Sequence, residues 1–109
     1  MTVTITRDDN LKIIALDGQL DVATSDKTRD EVIEMLDEKP TIVSMEKVTY
    51  VSSSGLRALL MIAKTAKSKN VKIIYAGAIE EVVDVLQMTG FIKMLHCVAT
   101  IDDAIKELS

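Results

Sequence analysis

The chain has 109 residues, 48% of them hydrophobic and 28% charged, with a net charge of -4. That is one ordinary domain over residues 1–109, large enough for its own core, too short for two and too apolar to be disordered. With 3% aromatic residues and an acidic balance, it lacks the stacking platforms and clustered cations on which nucleic-acid binding rests.

The opening stretch, MTVTITRDDN, alternates like a strand and lacks the basic-then-apolar pattern of a signal peptide. Thr2 to Thr6 and the run LKIIALDG from Leu11, with a turn signal at Asp8-Asp9-Asn10, predict an antiparallel hairpin. From Ala23 the period becomes helical, with Val32, Ile33 and Leu36 in register and Thr24 or Ser25 placed to cap the start. Pro40 is expected to close this helix. TIVSMEKV from Thr41 predicts a buried central strand, and a helix follows from about Gly55 to Lys69. VKIIYAG from Val71 then predicts a second buried strand, parallel to the first.

Ile79 to Thr89 carries Val82, Val83 and Leu86 at helical spacing and ends at Gly90, a glycine C-cap. A short strand is expected over residues 94–98, and Thr100 caps a last helix running to Leu108. The sum is an α/β domain: a mixed sheet with an N-terminal antiparallel hairpin, parallel strands and about four packed helices.

Cys97 is the only cysteine, which excludes an intramolecular disulfide and suits a reducing compartment. No apolar run approaches the about 20 residues that a membrane span needs. A cytoplasmic protein with no membrane segment is therefore expected. Met35, Met45, Met61, Met88 and Met94 are read as core fillers.

The stretch VTYVSSSGLRALL sets Ser52, Ser53 and Ser54 directly before Gly55, where the amphipathic helix begins. Any one of the three hydroxyls can serve as the N-cap, and one cap needs only one serine. Lys64, Lys67 and Lys69 near the far end of that helix oppose its negative pole, which accounts for them structurally. Gly55 either permits the turn or leaves room for the approach of a partner. A catalytic serine is disfavoured. The elbow Gly-x-Ser-x-Gly has Val51 where its first glycine belongs, and His96, the only histidine, lies far along the chain beside Cys97. No Walker sequence is present, and His96 and Cys97 have no second ligand pair at zinc spacing.

VTYVSSSGLRALL and LDGQLDVATSDKTRDEV together resemble the anti-sigma factor antagonist family, the bacterial form of the STAS domain. The family's Gly-Glu-Leu-Asp turn stands here as Gly18-Gln19-Leu20-Asp21, and its Asp-Ser-Ser-Gly-Leu loop as Ser52-Ser53-Ser54-Gly55-Leu56. The resemblance implies a non-enzymatic switch. It implies that the serine before the glycine, Ser54, would be phosphorylated by a partner that is both an anti-sigma factor and a serine kinase, and that the unphosphorylated form would bind that partner and free the sigma factor.

By position it also implies a docking face made of Asp21, Ser52, Ser53, Ser54, Gly55, Leu56 and Arg57. No cofactor is implied for this chain, because the partner kinase holds the ATP. A PP2C-type phosphatase would reset the switch, and a monomer is expected. Ser52 replaces the family's usual acid and Gln19 its usual Glu. Two rivals stand beside this reading: the same fold as a constitutive scaffold whose serines are caps, and a small-ligand or enzyme domain that uses the serine loop as an anion site at the helix terminus.

Overall fold

The computed structural model describes residues 1–7 and 10–108, so Asp8 and Asp9 of the expected turn lie outside the described residues. Strands β1 (Thr2–Arg7) and β2 (Lys12–Leu20) pair antiparallel, with Val3 opposite Leu16 and Ile5 opposite Ile14. Strands β3 (Thr41–Val51), β4 (Ile73–Ala76) and β5 (Cys97–Val98) add in parallel, giving the order β1-β2-β3-β4-β5. Four helices complete the fold: α1 (Ser25–Met35), α2 (Ser53–Ser68), α3 (Glu80–Thr89) and α4 (Ile101–Leu108).

The pleat decides the layers. Val43 and Met45 of β3 join Ile14 and Leu16 of β2 in one core cluster with Val32 of α1, Leu59 of α2 and Leu86 of α3. Ile42 points to the other face and packs with Ile74, Ala76 and Ala104 of α4. The first half of β3 is thus buried from both sides, which is why it reads as a continuous apolar run and not as an alternation.

Several boundaries differ from the sequence expectation, and the contacts made there explain the main ones. Helix α1 stops at Met35 and not at Pro40, because Leu36 turns into the extended region and buries its side chain. Lys12 finishes that end: it is 1% exposed, its Nζ donates to the Met35 carbonyl, and it pairs with Asp37 at 2.8 Å. A cation at the negative pole of a helix meets both its carbonyls and its dipole. Strand β3 runs on to Val51, past Val48, by pairing with β2 through two register shifts.

Strand β4 starts at Ile73, not Val71, because the Val71 N–H bonds the Ala66 carbonyl at 2.8 Å and the Asn70 N–H bonds Lys67 at 3.1 Å. With Asn70 at φ +59°, this is a Schellman closure of α2. The strand expected over residues 94–98 shrinks to Cys97–Val98. Residues 91–93 instead form a 3-10 turn, and Leu95 donates back to Phe91 at 3.1 Å. The glycine C-cap of α3 and the Thr100 cap of α4 stand as read: Gly90 has φ +81°, and the Thr100 hydroxyl accepts from the Asp103 N–H at 3.0 Å.

Candidate functional site

The candidate site lies where β2 and β3 end side by side. Leu20 is in register with Val51, and the Ser52 N–H donates to the Leu20 carbonyl at 2.8 Å. That bond carries the sheet one step past the strands and brings the turn after Leu20 against the start of α2. Gly55 is the contact point. A Cβ placed there would stand 2.7 Å from the Leu20 carbonyl oxygen and 2.9 Å from the Leu20 Cβ. The room that Gly55 leaves is therefore filled by the chain's own β2, not left open to a partner.

The three serines divide their work. Ser52 is the N-cap: its backbone is extended and its Oγ accepts from the Gly55 N–H at 3.1 Å. The Ser52 carbonyl accepts from Leu56 at 2.9 Å. Ser53 and Ser54 are the first two residues of α2, where backbone N–H groups have no intrahelical acceptor. Ser53 is exposed and Ser54 half-buried. Capping is accounted for by Ser52, so neither Ser53 nor Ser54 is needed for it.

Asp21 has a structural task that the sequence reading did not give it. Its Oδ1 accepts from the N–H groups of Ala23 at 2.9 Å and Thr24 at 3.1 Å. The Thr24 hydroxyl returns the favour to the Asp21 N–H at 3.0 Å and donates to the Gln19 carbonyl at 2.7 Å. This is a reciprocal capping arrangement for the entry to α1. Neither Thr24 nor Ser25 caps α1 in the expected way: Thr24 makes no side-chain cap bond to the helix, and buried Ser25 donates to the Asp21 carbonyl at 2.5 Å. An Asp followed three residues later by Thr is the signal that could have shown it.

The docking residues implied by position also separate. Gly55 and Leu56 are buried, so they hold α2 in place without offering surface. Arg57 is exposed, and Ser53, Arg57 and Met61 recur at a four-residue interval along one helix face. Met61 is 47% exposed, and Tyr50 at the end of β3 and Val22 beside Asp21 are 51% and 80% exposed. Tyr50 and Val22 were missed in the sequence. The expected end of β3 fell before Tyr50, and nothing in the sequence pattern set Val22 apart. Of the methionines read as core, Met45 is buried and Met35 half-buried, whereas Met61, Met88 and Met94 are exposed.

Burial pushes the Cys97 thiol up to about 11, so it stays protonated at neutral pH. His96 Nε2 lies 2.9 Å from Glu107, and among the described residues no three His, Cys, Asp or Glu side chains gather into a metal site. Among the described residues no helix is long and apolar enough to cross a membrane.

An α/β domain with this sheet order, one antiparallel edge and a serine loop between β3 and α2 defines a class. The STAS domain profile matches residues 2–104, and the chain belongs to that family. The protein BtrV of Bordetella bronchiseptica, provisionally named an anti-sigma factor antagonist, is 24% identical over 96 residues, covering 86% of this chain and 83% of the relative.

Solved structures agree on the fold. A provisionally named anti-sigma factor antagonist of Thermotoga maritima superposes with a TM-score of 0.84 at 19% identity, covering 97% of this chain and 93% of its own. The anti-sigma factor antagonist SpoIIAA in its unphosphorylated form gives 0.75 at 20% identity, with 98% and 96% covered. The murine anion transporter Slc26a9 gives 0.82 at 22% identity, over 94% of this chain but 18% of the transporter.

Proposed function

We propose that this chain is an anti-sigma factor antagonist worked by phosphorylation of Ser54. Unphosphorylated, it binds an anti-sigma factor that is also a serine kinase and thereby frees the sigma factor. Phosphorylated, it lets that partner go. The carrying observation is the division of labour among the serines: Ser52 already caps α2, which leaves Ser53 and Ser54 in the first turn without that duty, and Ser54 is the one directly before Gly55, as in the family's loop. The names of the relatives support the class of partner.

The chain itself is no enzyme in this reading. The kinase holds the ATP, the γ-phosphoryl passes to the Ser54 Oγ, ADP leaves, and the hydroxyl proton goes to a base on the kinase. A PP2C-type phosphatase returns the serine. All of this takes place in the cytoplasm, with the antagonist as a monomer.

Physical chemistry makes such a switch work at this place. A phosphoserine carries about -1.5 to -2 charges. At the amino terminus of α2 it meets free N–H groups and the positive pole, worth roughly 0.3–2 kcal/mol in its favour, so the fold persists. At a docked surface the same charge must be desolvated, which costs several kcal/mol unless a cation meets it. A penalty of about 4 kcal/mol lowers affinity nearly a thousandfold. Ser52 supplies the hydrogen bond of the family's acid without its charge, and the exposed Ser53, Arg57 and Met61 on one face of α2 offer a surface beside Ser54 for the partner.

The test is binding. With the kinase partner in hand, Ser54→Ala should bind as well as the wild type and Ser54→Asp at least tenfold more weakly, in titration calorimetry. Equal binding by all three would instead support a constitutive scaffold. Stabilisation by phosphate or a nucleotide alone, with no protein partner, would support an anion-binding domain.

A further inference from the structure

A cavity of about 250 Å³ opens on the face of the sheet that α2 and α3 cover, between Leu59 of α2, Tyr75 of β4, Val83 and Leu86 of α3, and Ile92 and Cys97 beyond it. It stands apart from the serine loop. We infer that this cavity is a binding site for one small uncharged hydrocarbon ligand, a short alkyl chain or a single aromatic ring. Its chemistry selects that class. Among the described residues no charged side chain lines it. Its one strong polar group is spent, because the Tyr75 hydroxyl donates to the Leu59 carbonyl at 2.6 Å. Cys97 presents a neutral thiol, which behaves as a small apolar group. An anion would find no cation and no free donor among these side chains, and water would find too few partners to stay.

Size and access agree. A cavity of about 150 Å³ lined by aliphatic side chains takes up benzene, so this one has room for a chain of roughly eight carbons. Ala99 at the lining is exposed, and Ala78 and Val98 are half-buried, so the cavity reaches the surface at the carboxyl ends of β4 and β5. That is the end of an α/β sheet where ligands enter. The composition explains why the space is unfilled. The chain has one Phe and no Trp, and Phe91 remains half-buried at the 3-10 turn instead of closing the gap. Interiors otherwise leave few voids of this size. Leu59 lies five residues after Ser54 on one helix, about 7.5 Å along its axis, so a ligand here touches the element that carries the serine loop.

The test is a methyl NMR titration of the full chain with 1-octanol, with sodium octanoate as a second arm. Saturable shifts confined to Leu59, Val83, Leu86 and Ile92 are expected, with octanoate binding more weakly. Val83→Phe, which fills the cavity, should weaken octanol binding at least tenfold, and Ala78→Leu at its rim does the same if Val83→Phe does not fold. Shifts that never saturate, or that scatter over the surface, would overturn the site. So would equal affinity in a folded filled variant. Octanoate binding as tightly as octanol would overturn the ligand class.

Discussion

At the scale of single residues, Ser52 and Ser54 are chemically identical and physically opposite. The Ser52 Oγ holds the Gly55 N–H, so Ser52→Ala should cost about 1 kcal/mol, or roughly 4–8 °C in Tm for a domain of this size. Ser54→Ala should stay within about 0.5 kcal/mol, as for a position outside any cap. Ser52→Asp should keep the full stability, since aspartate caps as well as serine and adds a charge the dipole favours. Urea melts of the three variants check this directly.

The same scale holds a pH effect. The Lys12 ammonium, followed by the Lys39 N–H, draws the Asp37 carboxyl below its usual value. Because the folded value lies below the unfolded one, near 3.9, the contribution is fully present above that pH and fades as pH falls through the folded value. Stability followed from pH 6 to pH 3 should therefore fall more steeply in the wild type than in Asp37→Asn. Equal slopes would mean that the Lys12 contact is not formed.

At the scale of elements, the packing of α2 on β2 turns on one missing Cβ. Gly55→Ala would push against the Leu20 carbonyl, a backbone atom that cannot swing aside. It should cost about 1–3 kcal/mol, seen in the same melts, and should perturb the amide signals of Asp21 as well as those of Ser52 to Leu56. The elements with strong periods were legible in the sequence: the hairpin, α2 with its serine loop, and α3 with its Gly90 stop.

What escaped was decided by contacts that leave no periodic pattern, some distant along the chain and some within a single turn. Lys12 in an alternating strand gave no sign of reaching Met35, 23 residues away. Nothing local showed that turn bonds after Gly90 would consume most of the expected last strand. At the site, a serine cap at the start of α2 was legible by pattern, and the turn that Asp21 ties before α1 was not. The exposed Tyr50 and Val22 were not, because apolar side chains in a short sequence read as core whether or not anything covers them.

At the scale of the whole molecule, a phosphorylation switch at Ser54 has to change a binding state while the fold stays as it is. The chain carries a net charge of -4, and a phosphate adds up to about two negative charges at one pole of one helix. The α2 dipole and its free N–H groups absorb that locally, so the phosphorylated protein should melt within a few degrees of the unmodified one. A large fall in Tm would mean that phosphate acts by unfolding α2 and not by blocking a surface. The apolar cavity is independent of this switch in its chemistry and linked to it only through α2.

The central claim is that Ser54, of three adjacent serines, is the acceptor. Intact mass and peptide mapping test it most directly, after the protein and its Ser54→Ala variant are incubated with ATP and an extract of the host cell. One added phosphate is expected on Ser54 of the wild type and none on the variant. A wild type that stays unmodified while the extract phosphorylates other proteins, or a phosphate carried on Ser52 or Ser53, would contradict it.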